Sequence, residues 1–163
     1  MISFRIISEQ DIPVVQHLAD EIWRKTFPGI ISDEQIAFML GKMYGTETIK
    51  AEMKDGFTWK LIEDDGTPVG YYSFSMINPR QCKLHKIYIR HEFHGRRVGR
   101  TAIEDVAAYA RAQKASELIL FVNRGNTGAL NAYVAWGFKI LGEVDTDFGN
   151  GFMLNDYRMG LKL

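Results

Sequence analysis

Residues 83–106, KLHKIYIRHEFHGRRVGRTAIEDV, constrain this chain more than any other stretch. KLHKIYIR has the apolar density of a strand, and the run after it changes period. Ile103, Val106, Ala107 and Ala110 recur at i, i+3, i+4 and i+7, the spacing of one helix face. Between them lies a short joint holding Gly95, Arg96, Arg97, Gly99 and Arg100. A strand that passes through a glycine-bearing turn into an amphipathic helix demands a mixed α/β architecture. The same joint is a recipe for an anion site. The first N–H groups of a helix have no partner within it, and the dipole is positive at that end. Glycine lets the backbone approach a ligand closely, and arginine supplies forked donors that match phosphate oxygens.

The rest of the chain supplies the context. ISFRIIS predicts a first strand. A helix capped by Ser8 or Asp11 then places Val14, Leu18, Ile22 and Trp23 on one face. FPG breaks it, and Ser32 with Gln35 has the spacing of a capping box for SDEQIAFMLGKMY. TETIKAEMKDG adds one more helical piece. FTWKLIE and PVGYYSFSMI, joined at DDGT, predict an antiparallel hairpin, with KLHKIYIR as the third strand. ELILFV is a short buried strand. NTGALNAYVAWGF is a helix with Asn126 at its N-cap and Gly137 just past its end. FKILGEVDT and MLNDYRMGLKL close the chain as strands around the turn FGNG. Strands grouped in the middle, without regular βαβα alternation, predict a mixed α/β fold. No repeat or linker divides the chain, so one domain over residues 1–163 is expected.

Composition narrows the function classes. Lys+Arg and Asp+Glu are both 20, giving no net charge. Broad binding to nucleic acid or an anionic membrane relies on excess positive charge, so neither is an expected partner. No apolar run approaches the roughly 20 residues that span a bilayer. With one cysteine, Cys82, and no leader pattern at MISFRIISEQ, a cytoplasmic protein is expected. His91 and His94 are three apart in a turn, unlike the H-E-x-x-H helix of zinc enzymes, so no metal site is expected. GRRVGRT is too short between glycines for a P-loop and has Arg where Lys is required. It lacks the G-x-G-x-x-G of dinucleotide folds as well.

LHKIYIRHEFHGRRVGRTAIEDV resembles motif A of the GCN5-related N-acetyltransferases, with signature Q/R-x-x-G-x-G/A. Its first residue falls on His94, its first glycine on Arg97 and its last on Gly99, so two of the three positions depart. NRGNTGALNAYVAWGF is similar to that family's second motif, N-x-x-A-[IL]-x-x-Y-x-x-x-G-F, throughout, at Asn126, Ala129, Leu130, Tyr133, Gly137 and Phe138. SDEQIAFMLGKMY, LHKIYI and FGNGFMLNDYRM look most like the subgroup related to polyamine N-acetyltransferases.

The resemblance implies a mostly antiparallel central sheet flanked by helices and splayed between strands 4 and 5. It implies acetyl-CoA as co-substrate, its pyrophosphate held by His94, Gly95, Arg96, Arg97, Val98, Gly99 and Arg100. The pantetheine arm would lie along the backbone of Ile87, Tyr88 and Ile89, with Asn126 as helix cap and cofactor contact. Tyr133 matches the residue that protonates the departing thiolate; a phenol of pKa near 10 carries its proton at neutral pH. His85 stands where many relatives carry a glutamate facing the acceptor, and an imidazole accepts a proton near pH 7. The implied acceptor is a small primary amine, polyamine-like, attracted by acids such as Asp20, Glu21, Asp33, Glu34, Asp145 and Asp147. Acetylation of a protein N-terminus or lysine, and CoA sensing without catalysis, are the other readings. Many members of the family pair as homodimers.

Overall fold

The computed structural model describes residues 1–163. Strand β1 (Ile2–Ile6) leads into three helices, α1 (Ile12–Thr26), α2 (Asp33–Met43) and α3 (Thr46–Lys54). Strands β2 (Thr58–Asp64), β3 (Thr67–Asn78) and β4 (Gln81–Ile89) follow. Helix α4 (Val98–Ala112), strand β5 (Glu117–Asn123), helix α5 (Thr127–Ala135) and strands β6 (Lys139–Gly149) and β7 (Phe152–Lys162) complete the chain. The strands form one sheet in the order β1-β2-β3-β4-β5-β7-β6, antiparallel except for the β4–β5 pair. No helix is long and apolar enough to cross a membrane.

Two of the three hairpins, β2–β3 and β6–β7, turn within the expected DDGT and FGNG. Asp65 and Gly66, and again Asn150 and Gly151, have positive φ, the backbone of a two-residue turn whose twist matches its strands. Helices cover both faces of the sheet. On one face, α4 presents the expected Ile103, Val106, Ala107 and Ala110 to Tyr72, Phe74, Leu118 and Leu120. On the other, α1, α2 and α3 pack on Trp59, Leu61 and Tyr71. The buried stripe of α1 runs through Val15, Leu18, Ile22 and Trp23, so Val15 takes the place expected of Val14. Ser32 caps α2 as expected, accepting from the Gln35 N–H at 3.1 Å. The Gln35 side chain does not close a capping box, however. Its Nε2 donates to the Met153 carbonyl at 2.7 Å and fastens α2 to β7.

Two irregularities in the sheet build the site. β4 has one residue more than β3 between the pairs Leu84–Phe74 and Lys86–Ser73, a bulge centred on His85. A bulge reverses which residues face which side. Cys82 and Leu84 belong to the α4 core before it, and Ile89 after it. His85 and Lys86 therefore both face the N-terminal helices, His85 against Phe57 and Lys86 against Tyr44 and Trp59. The second irregularity is the splay. β4 and β5 pair only from Gln81–Glu117 to Leu84–Leu120 and then part, as expected of this fold.

Candidate active site

A cavity of about 880 Å³ opens where the two strands part. Ile87, Tyr88 and Ile89 form one wall, and the β5-facing backbone edge of this stretch has no strand partner. Parallel strands that diverge leave main-chain groups free to meet an extended ligand.

At one end of the cavity stands the mouth of α4. The N–H groups from Gly95 to Arg100 donate to no acceptor in the protein; the first inward bond of the helix is Thr101 N–H to the Arg97 carbonyl. Gly95 and Arg97 both have positive φ, 76° and 62°, which turns successive N–H groups toward the same side. Arg97 thus holds the left-handed conformation that the motif's glycine would adopt freely, at a cost of about 1–2 kcal/mol for an L-residue. Gly99 has ordinary helical φ, and its role is spatial. A Cβ there would sit 3.0 Å from the Trp136 ring, so this glycine lets α4 lie against the end of α5.

Of the residues expected to hold a cofactor, His94, Gly95, Arg97, Val98, Gly99, Arg100 and Asn126 line this cavity together with the strand wall. His94 also ties the loop to the strand, its Nε2 donating to the Ile89 carbonyl at 2.8 Å. Arg96 departs from the group. It does not line the cavity, and its guanidinium lies over the Phe93 ring at 5.2 Å. Asn126 caps α5, its Oδ1 accepting from the Ala129 N–H at 3.4 Å.

Tyr133 stands in the middle, projected from α5 and wedged between Trp136 and Phe138. The residue is 9% exposed, lines the cavity, and forms no hydrogen bond within the protein. Burial alone pushes its phenol well above the ordinary value, so the ring stays protonated at any physiological pH.

The far end is closed by the N-terminal helices and the β6–β7 hairpin, which contribute Phe27, Ile31, Met43, Phe148 and Leu154. Lys42 of α2 donates to the Phe148 carbonyl and holds the hairpin against the helix. His85 lines this end, stacked on Phe57 at 4.2 Å, with Nε2 2.7 Å from the Ser75 hydroxyl. Burial, then Lys83 and Lys86, depress its pKa to about 3, so the ring is neutral and a weak base. Lys86 is held low by burial while Glu52 opposes that shift.

None of Asp20, Glu21, Asp33, Glu34, Asp145 and Asp147 lines the cavity. Several are engaged elsewhere: Asp20 with Arg24, Glu21 with Arg90, and Asp145 with Arg124. The one carboxylate on the wall is Asp156, unforeseen from sequence. Burial raises its pKa to about 6, against the pull of Lys83 and Arg124. The available signal was its place in β7, on the strand face it shares with Phe152 and Leu154.

A family model for acetyltransferases (GNAT) matches residues 16–138. The chain belongs to the acetyltransferase (GNAT) family. Among curated relatives of this GNAT chain is a spermidine N(1)-acetyltransferase of Thermoplasma acidophilum. It is 24% identical over 158 residues, covering 94% of this chain and 95% of that one. Among solved structures, the PaiA N-acetyltransferase of Thermoplasma acidophilum in complex with coenzyme A has a TM-score of 0.84 at 23% identity. It aligns over 100% of this chain and 99% of its own. A GCN5-related N-acetyltransferase from Rhodopseudomonas palustris has a TM-score of 0.81 at 20% identity over 99% and 95% of the two chains. At such identities the structural likeness shows the GNAT fold alone.

Proposed function

We propose that this GNAT enzyme transfers the acetyl group of acetyl-CoA to a small primary amine. One observation carries the reading: a single cavity runs from the free N–H groups at residues 95–100, along the open edge of β4, to the unbonded hydroxyl of Tyr133. The first end suits a diphosphate. Arg97 and Arg100 line the cavity with the helix mouth, Arg100 also pairing with Glu104 on the next turn of α4. The middle suits an extended thioester arm, which the free backbone edge of Ile87–Ile89 can hold by main-chain hydrogen bonds. Main-chain N–H groups there also meet the negative charge that develops on the thioester oxygen. Tyr133 is the acid for the departing thiolate: its proton is secure and its oxygen is uncommitted. The coenzyme A held by the PaiA structure supports the same ligand here.

The far end takes the acceptor. Its apolar lining and enclosure suit a small molecule. The spermidine N(1)-acetyltransferase likeness makes a polyamine the first acceptor to try. The test follows free thiol release from acetyl-CoA with spermidine, an aliphatic monoamine, an α-amino acid and a peptide with a free N-terminus. Amine-dependent release with a small amine, faster than with the peptide, is expected. Tight acetyl-CoA binding with no amine-dependent release would instead make the chain a sensor and overturn the proposal.

A further inference from the structure

An acceptor amine reaches the site as an ammonium of pKa about 10.4 and attacks only after losing a proton. We propose that the Asp156 carboxylate receives that proton, acting as the general base for acetyl transfer. This rests on the acetyl-transfer reading above.

Three observations point to Asp156. It is the only carboxylate on the wall of the cavity. Its residue is 8% exposed, yet the side chain makes no hydrogen bond or ion pair in the protein. Arg124 Nη1 donates to its main-chain carbonyl at 3.1 Å, not to the carboxylate. A largely shielded carboxylate that faces a ligand cavity without a partner in the protein is a mark of function. Third, it is placed by a rigid element. β7 pairs on both sides, Asp156 standing opposite Asn123 of β5 and Val144 of β6. Asp156, Tyr88 and Tyr133 all line the same cavity.

The charged and titratable groups around the carboxylate tune it for the task. Lys83 and Tyr88 face it from β4, Arg124 from the end of β5 and Asp145 from β6. Lys83 and Arg124 hold the pKa down while burial and Asp145 lift it, and the result is about 6. At pH 7 the group is ionised and still basic enough to take a proton. His85 is the less suited candidate, with its Nε2 shared with Ser75 and its ring clamped on Phe57.

The protons balance as follows. One ammonium proton passes to Asp156, and the freed nitrogen lone pair forms the bond to the thioester carbon. The C–S bond breaks, and the thiolate takes the Tyr133 hydroxyl proton. The second nitrogen proton returns to the Tyr133 oxygen, and Asp156 releases its proton to solvent.

The experiment records kcat/KM against pH with the fastest amine of the panel. The wild type is expected to lose activity as pH falls through about 6. Asp156→Asn is expected to abolish that limb and lower kcat about 10²- to 10⁴-fold, with CoA affinity by calorimetry unchanged. Lys83→Met, which removes a charge that favours the ionised carboxylate, shifts the limb to higher pH. His85→Gln leaves its position unmoved. A kcat for Asp156→Asn within threefold of wild type, a retained limb, or a loss confined to KM overturns the proposal. Carbon NMR titration of the Asp156 carboxyl in the wild-type protein needs neither acceptor nor variant. A midpoint near 6 supports the base and one in the ordinary carboxylate range overturns it. Absence of turnover with every amine would defeat the acetyl-transfer reading itself, whereas an active enzyme indifferent to Asp156→Asn defeats only this inference.

Discussion

Tyr133→Phe removes a single oxygen from a buried ring, and its two expected effects have opposite signs. The ring keeps its edge contacts with Trp136 and Phe138 at 5.9 and 5.8 Å, so no packing is lost. The hydroxyl has no partner within the protein, so no hydrogen bond is lost either. What goes is a polar group held in a mostly apolar cavity. Stability should therefore stay level or rise by up to about 1 kcal/mol, a melting shift of zero to about 4 °C for a chain of this size. Turnover should fall about 10²- to 10⁴-fold, since the thiolate would have to leave without its proton donor. The assay pairs thermal unfolding with thiol release, and calorimetry with CoA confirms that the cofactor still binds. Unchanged turnover would remove Tyr133 from the acid role. A melting point lower by several degrees would show that the hydroxyl has a structural partner and that its freedom was misjudged.

The remaining predictions concern the backbone and the buried histidine. Arg97→Gly relieves the left-handed strain of about 1–2 kcal/mol but adds about 0.4–1 kcal/mol of unfolded-state freedom. A net gain near 0.5–1 kcal/mol is expected in denaturant unfolding, and a loss would refute the strain. Gly70→Ala places a Cβ 2.6 Å from the Tyr88 carbonyl oxygen, which is backbone and has nowhere to go. It should cost about 1–3 kcal/mol and weaken CoA binding through the disturbed β4 wall; a neutral melt would contradict this. His85 titrates at about 3 in the fold, below its ordinary 6.5. The unfolded chain therefore binds its proton first, and stability is full above pH 6.5 and declines as pH falls toward 3. The slope is up to about 1.4 kcal/mol per pH unit. His85→Gln should flatten that decline, and an unchanged acid limb of stability would show that His85 is not the buried neutral group.

Much of this arrangement was legible in the residues because it rests on local rules. Asp-Gly and Asn-Gly placed two of the three hairpins, Asn126 and Gly137 bounded α5, and the period of Ile103, Val106, Ala107 and Ala110 found the core face of α4. What stayed hidden depends on tertiary pairing. The bulge at His85 exists only relative to β3, so the strand pattern of KLHKIYIR does not disclose that His85 and Lys86 share a side. Gln35 looked like half of a capping box because the alternative acceptor, the Met153 carbonyl, lies 118 residues away in sequence. Val14 shares an i, i+4 row with Leu18 and Ile22, but Val15, with Leu18, Ala19 and Ile22 at i+3, i+4 and i+7, is the valine at the centre of the buried stripe. Asp156 passed unnoticed as well. Its strand mixes polar and apolar residues, and only the cavity distinguishes this acid from the exposed ones on β6.

The central claim is that the mouth of α4 and the open edge of β4 together aim an acyl group at Tyr133. Determining the structure with bound CoA tests it most directly. The account predicts diphosphate oxygens within hydrogen-bonding distance of N–H groups at residues 95–100, and the thiol lying in the β4–β5 gap toward Tyr133. CoA bound elsewhere on the sheet, or its thiol directed away from α5, would contradict it.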